Sequence, residues 1–277
     1  MRLGGPVMES YNNPDEWLQL LKQWGYRAAV CPVDAAASDS VIQDYSAAAK
    51  AADIIIAEVG AWSNPLSPDS AERKTALAKC KQQLGLAERI GAVCCVNISG
   101  SRGEPWDGPH PDNYADETFD MVVETVREII DTVQPQRTFY TLEPMPWMLP
   151  DGPDSYLQLI TAIDRKQFAV HMDVVNWISS PKRHLKNAVF IKECFAKLGP
   201  YIKSCHFKDS RLHGTLTTHL EEVAPGLGTL DYGALLQAVD QLHPDTPVML
   251  EHLKTAAEYE AAADYVRQQA RACRVLL

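Results

Sequence analysis

The stretch Thr138–Ile163, "TFYTLEPMPWMLPDGPDSYLQLITAI", contains the repeating unit of the whole chain. Four of its first six residues are β-branched or aromatic, and the six read as a strand. Four prolines then forbid regular structure until "DSYLQLITAI" opens an apolar pattern of helical period. Glu143 closes the strand. Alone, that carboxylate is a solvated strand end, a metal ligand or a catalytic base, and nothing local decides among them.

The same strand–helix alternation extends in both directions. "RLGGPV" (2–7) precedes "NPDEWLQLLKQW", where Asn13 caps and Pro14 takes the first helical position. "AAVCPV" (28–33) precedes "SDSVIQDYSAAAKAA", and "DIIIAEV" (53–59) precedes "SPDSAERKTALAKCKQQLGLAERI". "AVCCVNI" (92–98) leads into "NYADETFDMVVETVREIIDTV". After the opening stretch, "FAVHMD" (168–173) precedes "HLKNAVFIKECFAKL", "IKSCHFK" (202–208) precedes "DYGALLQAVDQL", and "PVMLEHL" (247–253) precedes "AAEYEAAADYVRQQARACRVLL". Eight sequential βα units predict an α/β fold, a (β/α)8 TIM barrel spanning residues 1–277 as one domain. A doubly wound sheet would require a glycine fingerprint after the first strand, and "GGP" is not one.

The 277 residues carry 26 Lys and Arg against 36 Asp and Glu, a formal net charge of −10. With no basic cluster, a phosphate backbone is not an expected partner. No apolar run is long enough to cross a membrane. The N-terminus lacks the apolar core of a secretory signal. The 7 cysteines are scattered, which predicts reduced thiols and a cytoplasmic location.

In a TIM barrel the active site lies at the C-terminal ends of the strands. The residues there are Glu9, Glu58, Asn97, Glu143, Asp173, His206 and Glu251. Four of the last five units end in a potential ligand for a hard cation. Taken one by one, Asp173 reads as a turn cap, His206 as a structural histidine and Glu251 as a partner of His252 or Lys254. Together they place three carboxylates and an imidazole around one point, which requires protons or a cation to offset the charge. The donor set suits Mn²⁺, with Mg²⁺ or Co²⁺ as alternatives, and contains no thiolate to favour zinc.

This ordered set, with "HFKD" (206–209) and "PGLGTLDY" (225–232), resembles the xylose isomerase-like TIM-barrel superfamily. More narrowly it is similar to the sugar isomerase/epimerase branch that includes ketose 3-epimerases and hydroxypyruvate isomerase. The resemblance implies one Mn²⁺-type ion on Glu143, Asp173, His206 and Glu251, with Glu143 and Glu251 doubling as the acid/base pair. It also implies a sugar or oxidised glycoside as substrate and a homo-oligomer, dimer or tetramer. The histidine usual in ketose 3-epimerases three residues after the sixth-strand aspartate is here Asn176. His171 shares a face with Asp173 and is a candidate for contacting substrate or orienting Asp173. Further substrate-binding candidates are Glu58, Trp106, Trp147, Lys208 and Arg211. "PGLG" is the only loop suited to a phosphate, and no basic residue stands beside it, so a non-phosphorylated sugar is expected.

Three other readings share these residues. "LEPMPW" and "HMDVVN" are similar to lyases that cleave 3-oxo-(C-)glycosides. An endonuclease IV-like nuclease would need histidines at the third and fourth strand ends, where Glu58 and Asn97 stand, and a basic surface. A non-catalytic sugar-binding barrel would have no use for a paired acid and base.

Overall fold

The computed structural model describes residues 1–277. Eight parallel strands close a barrel: β1 (Arg2–Gly5), β2 (Ala28–Val30), β3 (Ile55–Gly60), β4 (Cys94–Asn97), β5 (Phe139–Leu142), β6 (Phe168–Met172), β7 (Ile202–Phe207) and β10 (Pro247–Leu250). Each pairs with its sequence neighbours in the barrel, and β10 closes it by pairing with both β7 and β1. This is the (β/α)8 TIM barrel that the eight units predict.

Helices α1 (Pro14–Trp24), α2 (Asp39–Ala51), α3 (Ser70–Ile90), α4 (Asp116–Val133), α5 (Pro153–Ile163), α6 (Pro181–Leu185), α7 (Asn187–Leu198), α8 (Tyr232–Val239) and α9 (Ala256–Cys273) surround it. Their ends follow from sequence. Asn13 accepts the Glu16 amide at the start of α1, and Gly25, at φ 62°, ends it. Asp69 caps α3, and Thr255 with Glu258 forms a capping box on α9. No helix is long and apolar enough to cross a membrane.

Strand side chains alternate between the helices and the lumen. Leu3, Ile56, Cys95, Tyr140, Leu142, Val170, Met172, Phe207, Val248 and Leu250 face outward and form the apolar core with the helices. Ala28, Ala57 and Met249 make a small cluster inside the barrel. Space there is tight: a Cβ on Gly4 would meet the Ala28 carbonyl oxygen at 2.1 Å.

The register slips twice, and both slips bear on the site. Ala29 pairs with Ile56 but Val30 with Glu58, so Ala57 is an extra residue in β3. Val170 pairs with Ile202 but His171 with Ser204, so Lys203 is extra in β7. A bulge of this kind re-aims the side chains beyond it.

Two features differ from the sequence expectation. The helix expected over 184–198 is broken at Lys186 into α6 and α7. After β7 the chain forms an antiparallel hairpin, β8 (Asp209–His213) with β9 (His219–Val223), before reaching α8. Most side chains of its distal part are solvated, so it lacks the buried apolar alternation by which strands are recognised.

Candidate active site

Glu143, Asp173, His206 and Glu251 converge in the lumen at the C-terminal ends of β5, β6, β7 and β10, with ligand atoms all within 4.8 Å of one another. His206 Nδ1 is 3.0 Å from Glu143 Oε1 and 2.8 Å from Glu251 Oε1. Its Nε2 is 3.1 Å from Glu58 Oε1. Two residues further along the same face, the Lys208 ammonium lies 2.7 Å from Asp173 Oδ2, 2.6 Å from Glu251 Oε1, 3.6 Å from Glu143 Oε1 and 3.4 Å from Glu222 Oε2.

Local structure holds these groups in place. Asp173 Oδ1 accepts the backbone amides of Val175 and Asn176, which leaves Oδ2 for the site. The Asn176 amide donates to the Pro144 carbonyl at 3.0 Å and to Glu143 Oε1 at 3.3 Å, tying the loop after β5 to that after β6. Asp209 anchors the segment beyond β7. Its carboxylate accepts the amides of Ser210, Gly226, Gly228 and Leu230 at 2.8 to 3.2 Å. The glycine-rich loop therefore has its anion built in, and the basic residue that does reach it, Arg211, bonds the Leu227 carbonyl. A Cβ on Gly228 would lie 2.2 Å from Asp209 Oδ1.

Burial and charge oppose one another in this cluster. Burial alone would raise the Glu251 carboxyl, but His206 and Lys208 outweigh both it and Glu143 and hold it down at about 2. Glu143 is likewise held well below the usual carboxylate range by His206 and Lys208 against the effect of burial. Asp173 goes the other way: burial, with Glu143 and Glu251 adding, pushes it up to about 7 despite Lys208. His206 and Lys208 are both raised, because the surrounding carboxylates exceed their desolvation cost. His171 is pushed down to about 4 by burial and by His206.

The donor set fits a hard divalent cation. Three carboxylates and one imidazole offer oxygen and nitrogen ligands without a thiolate. Around the quartet, three carboxylates (Glu143, Asp173 and Glu251) meet the basic side chains of His206 and Lys208, with Glu58 on the far nitrogen of His206 and Glu222, itself paired with His252, at the edge. Asp173 Oδ2 and Glu251 Oε1 are buried without a hydrogen-bond partner. Lys208 is close enough to pair with both, but off the line a hydrogen bond needs, so its charge is shared while their lone pairs stay available.

The remaining residues singled out in the sequence fall into distinct places. His171 is fully buried beside the quartet, its ring edge-on to His206 at 4.1 Å, with both nitrogens unpartnered. Lys208 is embedded among carboxylates. Glu58, expected to contact substrate, is bonded to His206 and to the Ser204 hydroxyl. Arg211, also expected at substrate, is exposed on the hairpin and donates to the Leu227 carbonyl. Trp147 is half-buried and donates to the Asp107 carbonyl at 2.6 Å, so its polar edge is used in holding the loop after β4. Trp106 is 36% exposed on that loop. Glu9 and Asn97, expected at the mouth, turn away from it: Glu9 accepts the Trp24 indole N–H, and Asn97 bonds Ser63 and Cys80. Glu222 escaped the sequence reading. It lies in β9, inside the hairpin, and its only signal was two adjacent glutamates in "LEEV".

Comparison with known proteins follows the same lines. A family model described as "Xylose isomerase-like TIM barrel" matches residues 18–269. None of the curated proteins matches the chain by sequence. Among solved structures, 3-keto-D-glucoside 4-epimerase YcjR from E. coli is similar with a TM-score of 0.69 and 16% identity, over 99% of this chain and 100% of that one. D-psicose 3-epimerase from Clostridium cellulolyticum H10, solved with D-tagatose, gives 0.68 and 15%, over 97% and 99%. A xylose isomerase-like TIM barrel protein from Mycobacterium smegmatis in complex with magnesium gives 0.67 and 16%, over 98% and 97%. At such identities the likeness to these structures is one of fold.

Proposed function

The chain belongs to the xylose isomerase-like TIM-barrel family, and from that premise we propose that it is a divalent-metal-dependent sugar epimerase or isomerase. The observation that carries this reading is the pair Glu143 and Glu251. Both carboxylates are placed against one nitrogen of His206, Glu143 buried and Glu251 half-buried at the strand ends, and the charges of His206 and Lys208 hold both below the usual carboxylate range. The similar solved structures include a D-psicose 3-epimerase and a 3-keto-D-glucoside 4-epimerase, which supports the same class.

Glu143, Asp173, His206 and Glu251 would hold the cation, for which Mn²⁺ is the first choice and Mg²⁺ or Co²⁺ the alternatives. When bound, it supplies Lewis-acid polarisation of the substrate carbonyl and offsets the negative charge that develops on that oxygen. The protein supplies the proton transfers. One glutamate takes the proton from the carbon next to the carbonyl, and the other delivers a proton to the opposite face, inverting that carbon. If one glutamate instead returns the proton to the neighbouring carbon, the outcome is aldose–ketose isomerisation. Asn176 fixes Glu143, and the two backbone amides on Asp173 fix its free oxygen toward the site. Lys208 is positioned to keep Asp173 and Glu251 compatible at close range and to donate to a substrate hydroxyl. The amides of the "PGLG" turn are taken by the Asp209 carboxylate, so the proposed substrate is a non-phosphorylated ketose or an oxidised glycoside.

The test is proton exchange. Incubating the Mn²⁺-loaded protein in D₂O with ketoses and 3-oxo-glycosides should bring deuterium into the carbon next to the carbonyl of at least one of them. The same panel detects a lyase, which would release a free aglycone. No exchange with any member would reject the assignment.

A further inference from the structure

Glu58 has no place in the proton transfers above, yet it is one of the most constrained carboxylates in the molecule. It is 5% exposed. The extra residue Ala57 turns it into the lumen, where Ser204 Oγ donates to its Oε2 at 3.3 Å and its Oε1 lies 3.1 Å from His206 Nε2. His206 is thereby flanked on both sides: Glu143 and Glu251 face Nδ1, and Glu58 alone faces Nε2. His171 packs against the imidazole edge-on, with Nδ1 3.8 Å from Glu58 Oε2, and neither of its nitrogens has a hydrogen-bond partner. It wedges the ring without competing for either nitrogen.

A neutral imidazole offers one lone pair and one N–H, and the partner of the N–H decides which nitrogen is left to bind a metal. We infer that Glu58 is a positioning residue: it accepts the Nε2 proton of His206, so that the Nδ1 lone pair is presented to the cation shared with Glu143, Asp173 and Glu251. This rests on the metal-centre reading above and extends it to a residue that touches neither substrate nor cation. The competing use of the same atoms is a second cation on Glu58, His171 and His206, whose ligand atoms also cluster. That arrangement would require His206 to give up the Nε2 proton, and it predicts a different stoichiometry.

The experiment titrates the full apo chain with Mn²⁺ by calorimetry, as wild type, Glu58→Ala and Glu58→Gln. The expected result is one ion per chain in all three. Affinity should fall roughly 10- to 100-fold in Glu58→Ala, and stay within a few-fold of wild type in Glu58→Gln, whose amide oxygen still accepts the proton. Unchanged affinity in Glu58→Ala overturns the proposal, as does a wild type that binds two ions and loses one in Glu58→Ala. Should that variant not fold, ¹⁵N NMR of the Zn²⁺-loaded wild type gives the same answer. His206 should be metallated at Nδ1 and protonated at Nε2, and the reverse assignment overturns the inference. A wild type that binds no divalent ion rejects the metal centre itself along with the role of Glu58. One bound ion with an indifferent Glu58 rejects the role alone.

Discussion

Along the arc formed by β5, β6, β7 and β10, the polar residue at or just past each strand end points into the lumen, as Glu143, Asp173, His206 and Glu251. Along the arc formed by β1 and β4, polar residues at a comparable level turn outward. Glu9 meets the Trp24 indole, and Asn97 ties the Ser63 backbone and the Cys80 thiol of α3 to the barrel wall. The two arcs share the same backbone architecture; Asn97 differs in parity along a strand of period two, while Glu9 lies in the loop beyond the end of β1. β3 belongs by sequence to the second arc, and the single extra residue Ala57 brings Glu58 over to the first. Chemistry in this barrel is thus assigned by register, and a one-residue slip is enough to recruit or discard a side chain.

If that contrast is right, substitutions on the two arcs fail in different ways. The largest effect is expected from Glu143→Gln and Glu251→Gln. Each should lower turnover on whatever substrate exchanges by about 10²–10⁴-fold, the usual contribution of a positioned acid or base, with an unchanged circular-dichroism spectrum. Near-normal rates in either variant would remove that residue from the mechanism.

Next comes Lys208→Met, which takes the only ammonium out of a buried carboxylate cluster. Removing one partner from a buried ion pair typically costs ~3–5 kcal/mol, so the apo variant should unfold at clearly lower denaturant concentration. Saturating Mn²⁺ should restore more of the loss in the variant than it adds to wild type. Equal gains in both would show that Lys208 and the cation do not share the same charges.

Asp209→Ala should cost about 2–3 kcal/mol in a urea titration, since it leaves the buried amides of Ser210 and Leu230, and the more open ones of Gly226 and Gly228, without their charged acceptor. Asn97→Ala provides the control on the other arc. A loss of about 1–2 kcal/mol is expected from its broken hydrogen bonds, with Mn²⁺ affinity the same as wild type. Weakened metal binding in Asn97→Ala would contradict the division into two arcs.

The smallest effect is a pH dependence at the rim, where His252 Nδ1 pairs with Glu222 Oε1 at 2.9 Å and ties the hairpin to the end of β10. The bond to Glu222 raises His252 above its ordinary value, so its contribution is complete below about pH 6.5 and fades as pH rises through the folded value. Burial opposes the shift of Glu222, but its bond to His252 and the charge of Lys208 lower it. Its contribution is complete above about pH 4.5 and fades as pH falls through the folded value. The protection of β8 and β9 amides from hydrogen exchange, relative to their intrinsic rates at each pH, should therefore be greatest between roughly pH 5 and 6.5. Protection that rose steadily to pH 9 would show that the pair does not hold the hairpin.

The eight units and the polar strand ends on the second half of the barrel were legible because both rest on local pattern. Apolar runs of strand length end in Glu143, Asp173, His206 and Glu251, and helices begin at recognisable caps such as Asn13 and Thr255. What was not legible depends on register or on solvated structure. Nothing in "DIIIAEV" marks Ala57 as an extra residue, so Glu58 read as one more substrate contact. Asn97 read as a mouth residue because strand length was visible and parity was not. The hairpin after β7 buries little apolar surface, and with it went Glu222 and the placement of Arg211 out on β8. "PGLG" was recognisable as an anion-binding turn, but that its anion is Asp209, some twenty residues earlier in the chain, required the fold.

The central claim is that Glu143 and Glu251 move a proton at a carbon next to a sugar carbonyl. The most direct measurement is deuterium incorporation, followed by NMR, with the Mn²⁺-loaded protein in D₂O and a panel of ketoses and 3-oxo-glycosides. The account predicts exchange at that carbon for at least one member of the panel, abolished in both Glu143→Gln and Glu251→Gln. Exchange that persists in both variants, or is absent across the panel with metal bound, would contradict it.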